Sequence, residues 1–271
     1  MINLHPTAVV HPSAILGEGV EVGPYAVVGE DVRIGARTTL GPHVVIEPHT
    51  TLGEDCRVFP GAVLGAVPQD LKFAGEATRC IVGDRNTIRE CVTINRGTAA
   101  SGETRVGNDN LLMAYVHVAH DCVVGSGIVL ANAATLAGHV TVGDGAVVGG
   151  LVGVHQFCRI GALSMIGAMS RIVQDVPPYA LAEGSPPRVA GTNTVGLRRA
   201  GVVPAVREAL KQAYRILYRQ RLGVGDATAR IEADAALMAH AEVRHLVAFV
   251  KGGTRGLVGI ARRGAAVADE A

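Results

Sequence analysis

The chain has 271 residues, a net charge of +1, 3% aromatic residues and no tryptophan, which suits one large domain or two. So balanced a charge gives no general affinity for nucleic acid or a membrane surface, and no run of about 18 apolar residues approaches a membrane span. Thirty-five glycines set among Val, Leu and Ile favour a narrow core of stacked aliphatics over a broad aromatic one.

From the N-terminus onward the chain keeps a six-residue rhythm. Aliphatic residues fall at Val10, Leu16, Val22, Val28, Ile34, Leu40, Ile46, Leu52, Val58 and Leu64. The same phase returns at Val82, Ile88 and Ile94, and again from Val106 through Leu112, Val118, Val124 and onward to Ile172. Glycine often follows directly, as at Gly17, Gly35, Gly143 and Gly161. Period six is neither helical nor simple strand alternation; it is the hexapeptide signature of a parallel β-helix. Each hexad is a short strand and a corner, with the aliphatic residue inward and the glycine where a side chain would hinder the turn. A sandwich of ordinary strands would not hold one phase from Val10 to Ile172. The repeat resembles that of the hexapeptide acyltransferases, and this likeness implies a three-sided, left-handed coil in which residues 18 apart are vertical neighbours.

The rhythm breaks twice. At 65–81, Asp70 and Glu76 stand where aliphatics belong, so this stretch is a loop extruded from the coil that presents Asp70 and Lys72 together. At 97–105, GTAASGETR reads as a small polar loop. The β-helix is expected over 1–195, with Pro177–Pro178 closing the repeat because a following ladder would lack amide donors. A C-terminal helical domain is expected over 196–271. In it Pro204 suits a first helical turn, Asp226 suits a second helix cap, Glu242–Val250 suggests a third helix, and the tail from Gly259 is frayed.

The N-terminus MINLHPTAVVHPS has neither the basic start nor the apolar run of a signal peptide. Cys56, Cys80, Cys91, Cys122 and Cys158 form no CxxC pair and read as free thiols of a reducing compartment, so a cytoplasmic protein without stable membrane insertion is expected.

The richest polar cluster is His117, His120, Asp121, His139, His155 and Gln156. His120, Gly138 and Gln156 are spaced by 18 and 18, which stacks them in one column, and Asp121 and His139 share the next. Histidine beside a carboxylate can act as a general base, and a glycine amide one coil away can stabilise an oxyanion. There is no GxSxG elbow, and the position of Cys122 turns it away from His120. A zinc site like that of the gamma-class carbonic anhydrases would show a His-x4-His pair, whereas here His117 and His120 are separated by two residues; no metal is expected.

The strings PQDLKFAGEAT (68–78), IVGDRNTIREC (81–91), DNLLMAYVHVAHDC (109–122), LANAATLAGHV (130–140), GVHQFCRIGA (153–162) and QDVPPY (174–179) resemble the acyl-carrier-protein-dependent UDP-N-acetylglucosamine O-acyltransferases over essentially the whole chain. The resemblance implies transfer of a 3-hydroxyacyl group from acyl carrier protein to the 3-position of the UDP-sugar, the first step of lipid A assembly. It implies a homotrimer with sites between neighbouring β-helices and no cofactor of the enzyme's own. It makes His120 the base, Asp121 its orienting partner and Gly138 the oxyanion donor. Asp70, Lys72, His117, His139, His155 and Gln156 match substrate-contacting positions, and Asn193 and Arg199 match residues that hold the nucleotide. Ala168, with Met169 beside it, matches the acyl-chain ruler, about 2.7 coils past His120 and so roughly 13 Å along the axis. Acyl carrier protein is acidic, so Arg198, Arg199, Arg215, Arg219 and Arg221 are candidate docking residues.

Three positions depart from the family pattern: Asn95 stands where a histidine is usual, Val195 replaces an acidic residue, and Ala200 replaces an arginine. The first bears on the acceptor, because related enzymes acylate a 3-amino analogue of the sugar nucleotide. The later N-acyltransferase of the pathway carries an extra uridine-binding domain, and coils that start by Val10 argue against it.

Overall fold

The computed structural model describes residues 1–260. The expected frayed tail lies outside the described residues from position 261 on, whereas Gly259–Ile260 form a strand alongside Arg188–Thr192.

Short strands, mostly of two residues, alternate with corners, and every third strand joins the same sheet. Three parallel sheets therefore wrap one core. In the first, Leu112, Leu130, Val148 and Ile166 lie in register, each one coil from the next. All four are fully buried. Each coil's amides bond to the next coil's carbonyls, as from Leu111 N–H to Ile128 O at 2.9 Å and Met113 N–H to Leu130 O at 2.9 Å. The ladder thus satisfies the backbone along the helix axis while the aliphatics fill the interior.

The glycine after the inward aliphatic has a different cause from the one the repeat suggests. It does not make the left-handed turn. That conformation falls two residues later on residues such as Arg37, His43, Asp121, His139 and Phe157, with φ between 57° and 65°. The glycine is required by stacking: a Cβ on Gly143 would lie 2.6 Å from Ala162 N in the coil above.

The two excursions correspond to residues 67–78, between strands Val63–Ala66 and Arg79–Val82, and 96–102, between Thr93–Asn95 and Glu103–Val106. Both are narrower than the sequence breaks, because their ends are recruited as longer strands. Both leave from the edge between the second and third sheets.

The proline pair does not end every ladder. Ala180–Glu183 still adds in parallel to Met165–Ile166, and only then does the chain reverse into an antiparallel hairpin with Arg188–Thr192. Helices follow: α1 (Thr194–Arg199), α2 (Pro204–Arg219), α3 (Val224–Glu232), α4 (Ala235–Met238) and α5 (Ala241–Lys251). Pro204 opens α2, but Asp226 lies inside the first turn of α3, whose N-cap is Gly223. The helices share one apolar cluster with the last coils. They are tied there by Arg159, which pairs with Asp175, donates to the Phe249 carbonyl at 2.8 Å and lies 4.1 Å from the Phe249 ring centre.

Gly143→Ala should lower stability in urea denaturation by about 1–3 kcal/mol, the cost of overpacking a filled site. Gly225→Ala, where a Cβ meets nothing within 4 Å in α3, should raise it by up to about 1 kcal/mol.

Candidate active site

His120 and Asp121 form the corner between strands His117–Val118 and Val123–Val124. Asp121 has φ 59°, and its side chain turns back beneath the histidine instead of out to solvent. His120 Nδ1 lies 2.7 Å from Asp121 Oδ2. The carboxylate is buried, with 0% of its side chain exposed, and the imidazole keeps 15%. Because an ionised carboxylate only accepts, Nδ1 carries the proton and Nε2 is left as the basic nitrogen.

One coil on, Gly138 underlies the ring. A Cβ there would lie 2.7 Å from His120 Nε2, so only glycine lets the imidazole lie over this coil. The amides on either side belong to the ladder: Ala137 N–H donates to Val154 O and His139 N–H to His120 O. Gly138 N–H has no acceptor among the described residues, which leaves a backbone donor beside the basic nitrogen.

Four donors hold Asp121. Thr98 gives its N–H to Oδ1 at 2.9 Å and its hydroxyl to Oδ2 at 2.7 Å; the Ser101 hydroxyl donates to Oδ1, and His120 to Oδ2. Burial pushes this carboxyl up, but the bonds from Ser101, His120 and Thr98 outweigh it and bring it down to about 2. Sequence reading missed Thr98 and Ser101. The signal was available in the register, since the 96–102 excursion leaves from the same edge one coil before His120.

His139 completes the corner. Its Nε2 is 3.6 Å from Asp121 Oδ2, its ring meets His120 edge-on at 5.2 Å, and it stacks on Phe157 at 4.5 Å. His120, Asp121 and His139 thus bring ligand-type atoms within 4.8 Å of one another. The hydrogen-bond inventory favours a dyad over a metal centre, because two donors already fill the lone pairs of each carboxylate oxygen.

His117 lies on the strand that leads into this corner, its Nδ1 2.7 Å from Thr93 Oγ1; burial, and then the charge of His120, lower its proton affinity. His155 and Gln156 are exposed two coils beyond His120. Arg255, which sequence reading also missed, reaches His155 Nδ1 at 3.1 Å from the C-terminal segment. Cys122 is fully buried, its thiol directed to Ala137 O at 3.2 Å and pushed up to about 12 by burial, as unsuited to a nucleophile as its column position predicted.

Other expected residues are not gathered by one chain. Asp70 and Lys72 lie on the first excursion, where Lys72 N–H caps Asp70 Oδ1 at 3.0 Å and Leu71 is fully exposed; neither contacts His120 among the described residues. Ala168 and Met169 follow strand Met165–Ile166 of the first sheet, so they sit on the edge between the first and second sheets. The separation of His120 and Ala168 is not a whole number of coils, so the axial offset stands but the ruler position and His120 occupy different edges. Asn193 caps α1, accepting from Gly196 N–H at 3.0 Å and donating to Leu163 O at 2.9 Å, which leaves one amide hydrogen and one lone pair for a ligand. Arg199 is exposed at the end of α1. Asn95 is 2% exposed and donates to Val67 O at 3.1 Å, so it fastens the root of the first excursion, while its Oδ1 has no partner among the described residues.

A family model described as "Udp N-acetylglucosamine O-acyltransferase; Domain 2" matches residues 175–258. An acyl-[acyl-carrier-protein]–UDP-N-acetylglucosamine O-acyltransferase of Verminephrobacter eiseniae is 55% identical over 261 residues, covering 95% of this chain and all of the relative. This chain belongs to that family. The corresponding enzyme of Thiobacillus denitrificans is 52% identical over 259 residues, again over 95% of this chain and all of the relative. A solved family structure from Acinetobacter baumannii superposes with a TM-score of 0.91 at 40% identity, covering 94% of this chain and 99% of that one. One from Moraxella catarrhalis gives 0.91 at 42%, with the same coverage. The family fold is the one described above, a left-handed parallel β-helix followed by a few C-terminal helices. No helix among the described residues is long and apolar enough to cross a membrane.

The depressed carboxyl of Asp121 gives a pH signature. Its stabilising effect is complete above the ordinary carboxyl range and is lost as pH falls from about 4 toward about 2. The stability gap between the parent chain and Asp121→Asn, read by chemical denaturation, should therefore be widest above about pH 5 and close over that window.

Proposed function

We propose that this chain transfers a 3-hydroxyacyl group from acyl carrier protein to the 3-hydroxyl of UDP-N-acetylglucosamine, the reaction that opens lipid A assembly. The observation that carries the proposal is the His120–Asp121 pair at 2.7 Å, with a free Nε2 above the Gly138 amide. Nε2 takes the proton of the sugar 3-hydroxyl as its oxygen attacks the thioester carbonyl. Negative charge gathers on the carbonyl oxygen, where Gly138 N–H can donate to it. The carbon–sulfur bond then breaks, and the leaving thiolate takes the proton back from the imidazolium. Asp121 keeps the ring in one tautomer and stabilises its cation. No step calls for a metal or a resident cofactor. The O-acyl reading is favoured over the 3-amino alternative because the relatives are named as O-acyltransferases.

This reading calls for a homotrimer. The ruler residues and His120 lie on different edges of one prism, and a threefold assembly apposes those edges between copies. The column Tyr115, Leu151 and Met169, exposed by 67%, 64% and 73%, offers an apolar surface for such an acyl groove. Asp70 and Lys72, on an arm with an exposed Leu71 at its tip, are placed to reach a neighbour. Acyl carrier protein would dock on the helices, where Arg215 and Arg219 line a cleft with Lys211 and Arg230.

His120→Ala should lower turnover by about 10²–10⁴, the usual contribution of a general base, in an assay with acyl carrier protein thioester and UDP-N-acetylglucosamine. Full activity in that variant, or exclusive use of the 3-amino sugar nucleotide, removes the reading. Ala168→Met should move preference toward shorter acyl donors, each methylene being worth about 1–3 kcal/mol; mass analysis of products from mixed donors measures it.

A further inference from the structure

Asp121 stands between two histidines. Oδ2 is 2.7 Å from His120 Nδ1 and 3.6 Å from His139 Nε2. A carboxylate free to rotate could serve either ring, and only the first choice leaves a basic Nε2 above Gly138. The 96–102 excursion removes that freedom. The Thr98 hydroxyl occupies Oδ2 together with His120, while Thr98 N–H and Ser101 occupy Oδ1. The loop is itself braced. Gly102 N–H donates to Thr98 O at 2.8 Å, Ala100 N–H donates to Thr98 Oγ1 at 3.2 Å, and Gly97 and Gly102 bond to the strand that begins at Arg79. Because the Thr98 hydroxyl accepts from Ala100, its hydrogen is aimed at Asp121.

We propose that Thr98, assisted by Ser101, is a positioning residue that assigns Asp121 to His120 and away from His139, and so selects the tautomer of the base. This rests on the reading of His120 as the base. The charged and titratable groups facing the pair are His139 on the next coil, His117 on the preceding strand and, at the loop root, Glu103, which pairs with Arg79 and Arg105. Thr98→Val keeps the backbone N–H bond and the side-chain volume but loses the hydroxyl on Oδ2. The oxygen then has room for His139, which loosens its hold on the Nδ1 proton of His120.

The test uses the full chain, with kcat, both KM values and imidazole ¹⁵N NMR of His120. Thr98→Val should lower kcat about 10-fold, the scale of one hydrogen bond to a charged group. KM for the sugar nucleotide and for the acyl carrier should stay within about twofold, on the same scale. The NMR should show protons on both ring nitrogens in exchange. Thr98→Ser should restore parental values, and Ser101→Ala should act in the same direction but more weakly, which covers a Thr98→Val chain that fails to fold. Parental kcat and a single Nδ1–H tautomer in Thr98→Val, or a Thr98→Ser chain as impaired as Thr98→Val, overturns the proposal. A fully active His120→Ala enzyme would instead overturn the base assignment, whatever the NMR of the Thr98 variants shows.

Discussion

The whole structure depends on coils lying directly over one another at one strand spacing, roughly 4.8 Å. Gly143 sits so close beneath Ala162 N that no Cβ fits between them, and the amides of each coil have their acceptors on the next. A register slip of one residue would drive side chains into backbone and turn every inward aliphatic outward. The same eclipse stacks buried polar groups into continuous columns. Asn110 N–H donates to Asn86 Oδ1, and Ile128 N–H donates to Asn110 Oδ1 on the far side, so each asparagine is satisfied by the coils around it.

This rigidity decides where extra residues can go. Ile34 pairs with Leu52 across an ordinary coil of three hexads, whereas Thr50 pairs with Cys80 and Arg79 with Glu103. The first of these longer turns carries two additional hexads and the second carries one. All of the excess is expelled at a single edge while the strands keep phase. That edge carries His120. The repeat supplies geometry accurate enough for a base and a backbone donor, but its outward corner positions supply little that could surround a buried carboxylate. The expelled loop supplies the hydroxyls. Scaffold and loop divide the work: the coil fixes where Asp121 is, and residues 96–102 fix which atoms it touches.

Much of this was legible in the sequence because period six survives in one dimension. The single-coil step from His120 to Gly138 and from Asp121 to His139 translates directly into contact, since a solenoid has almost no topology to guess. What stayed hidden depends on other information. The left-handed turn on Asp121, His139 and Phe157 is invisible to a pattern that credits glycine with the corners. Thr98 sits in a stretch without periodicity, and Arg255 arrives from far down the chain through the pairing of Gly256 O with Asp175 N–H. Ala168 was legible as an axial distance but not as an edge, because its separation from His120 leaves two-thirds of a coil over.

The same remainder argues for the proposed homotrimer more strongly than does the exposed apolar column. In a triangular prism each edge points away from the other two, and no side chain spans the interior, which the stacked aliphatics fill to 0% exposure. On the proposed reading, a base on one edge and a chain-end stop on another cannot act on one acyl group within a single chain. They can do so when the edge of one prism is laid beside a different edge of the next, and threefold symmetry makes that arrangement closed and identical at every contact. The axial offset of roughly 13 Å then becomes the length of the groove, running parallel to the stacking axis between two walls of fixed spacing. Acyl length would be measured in coils along an interface that neither subunit possesses alone.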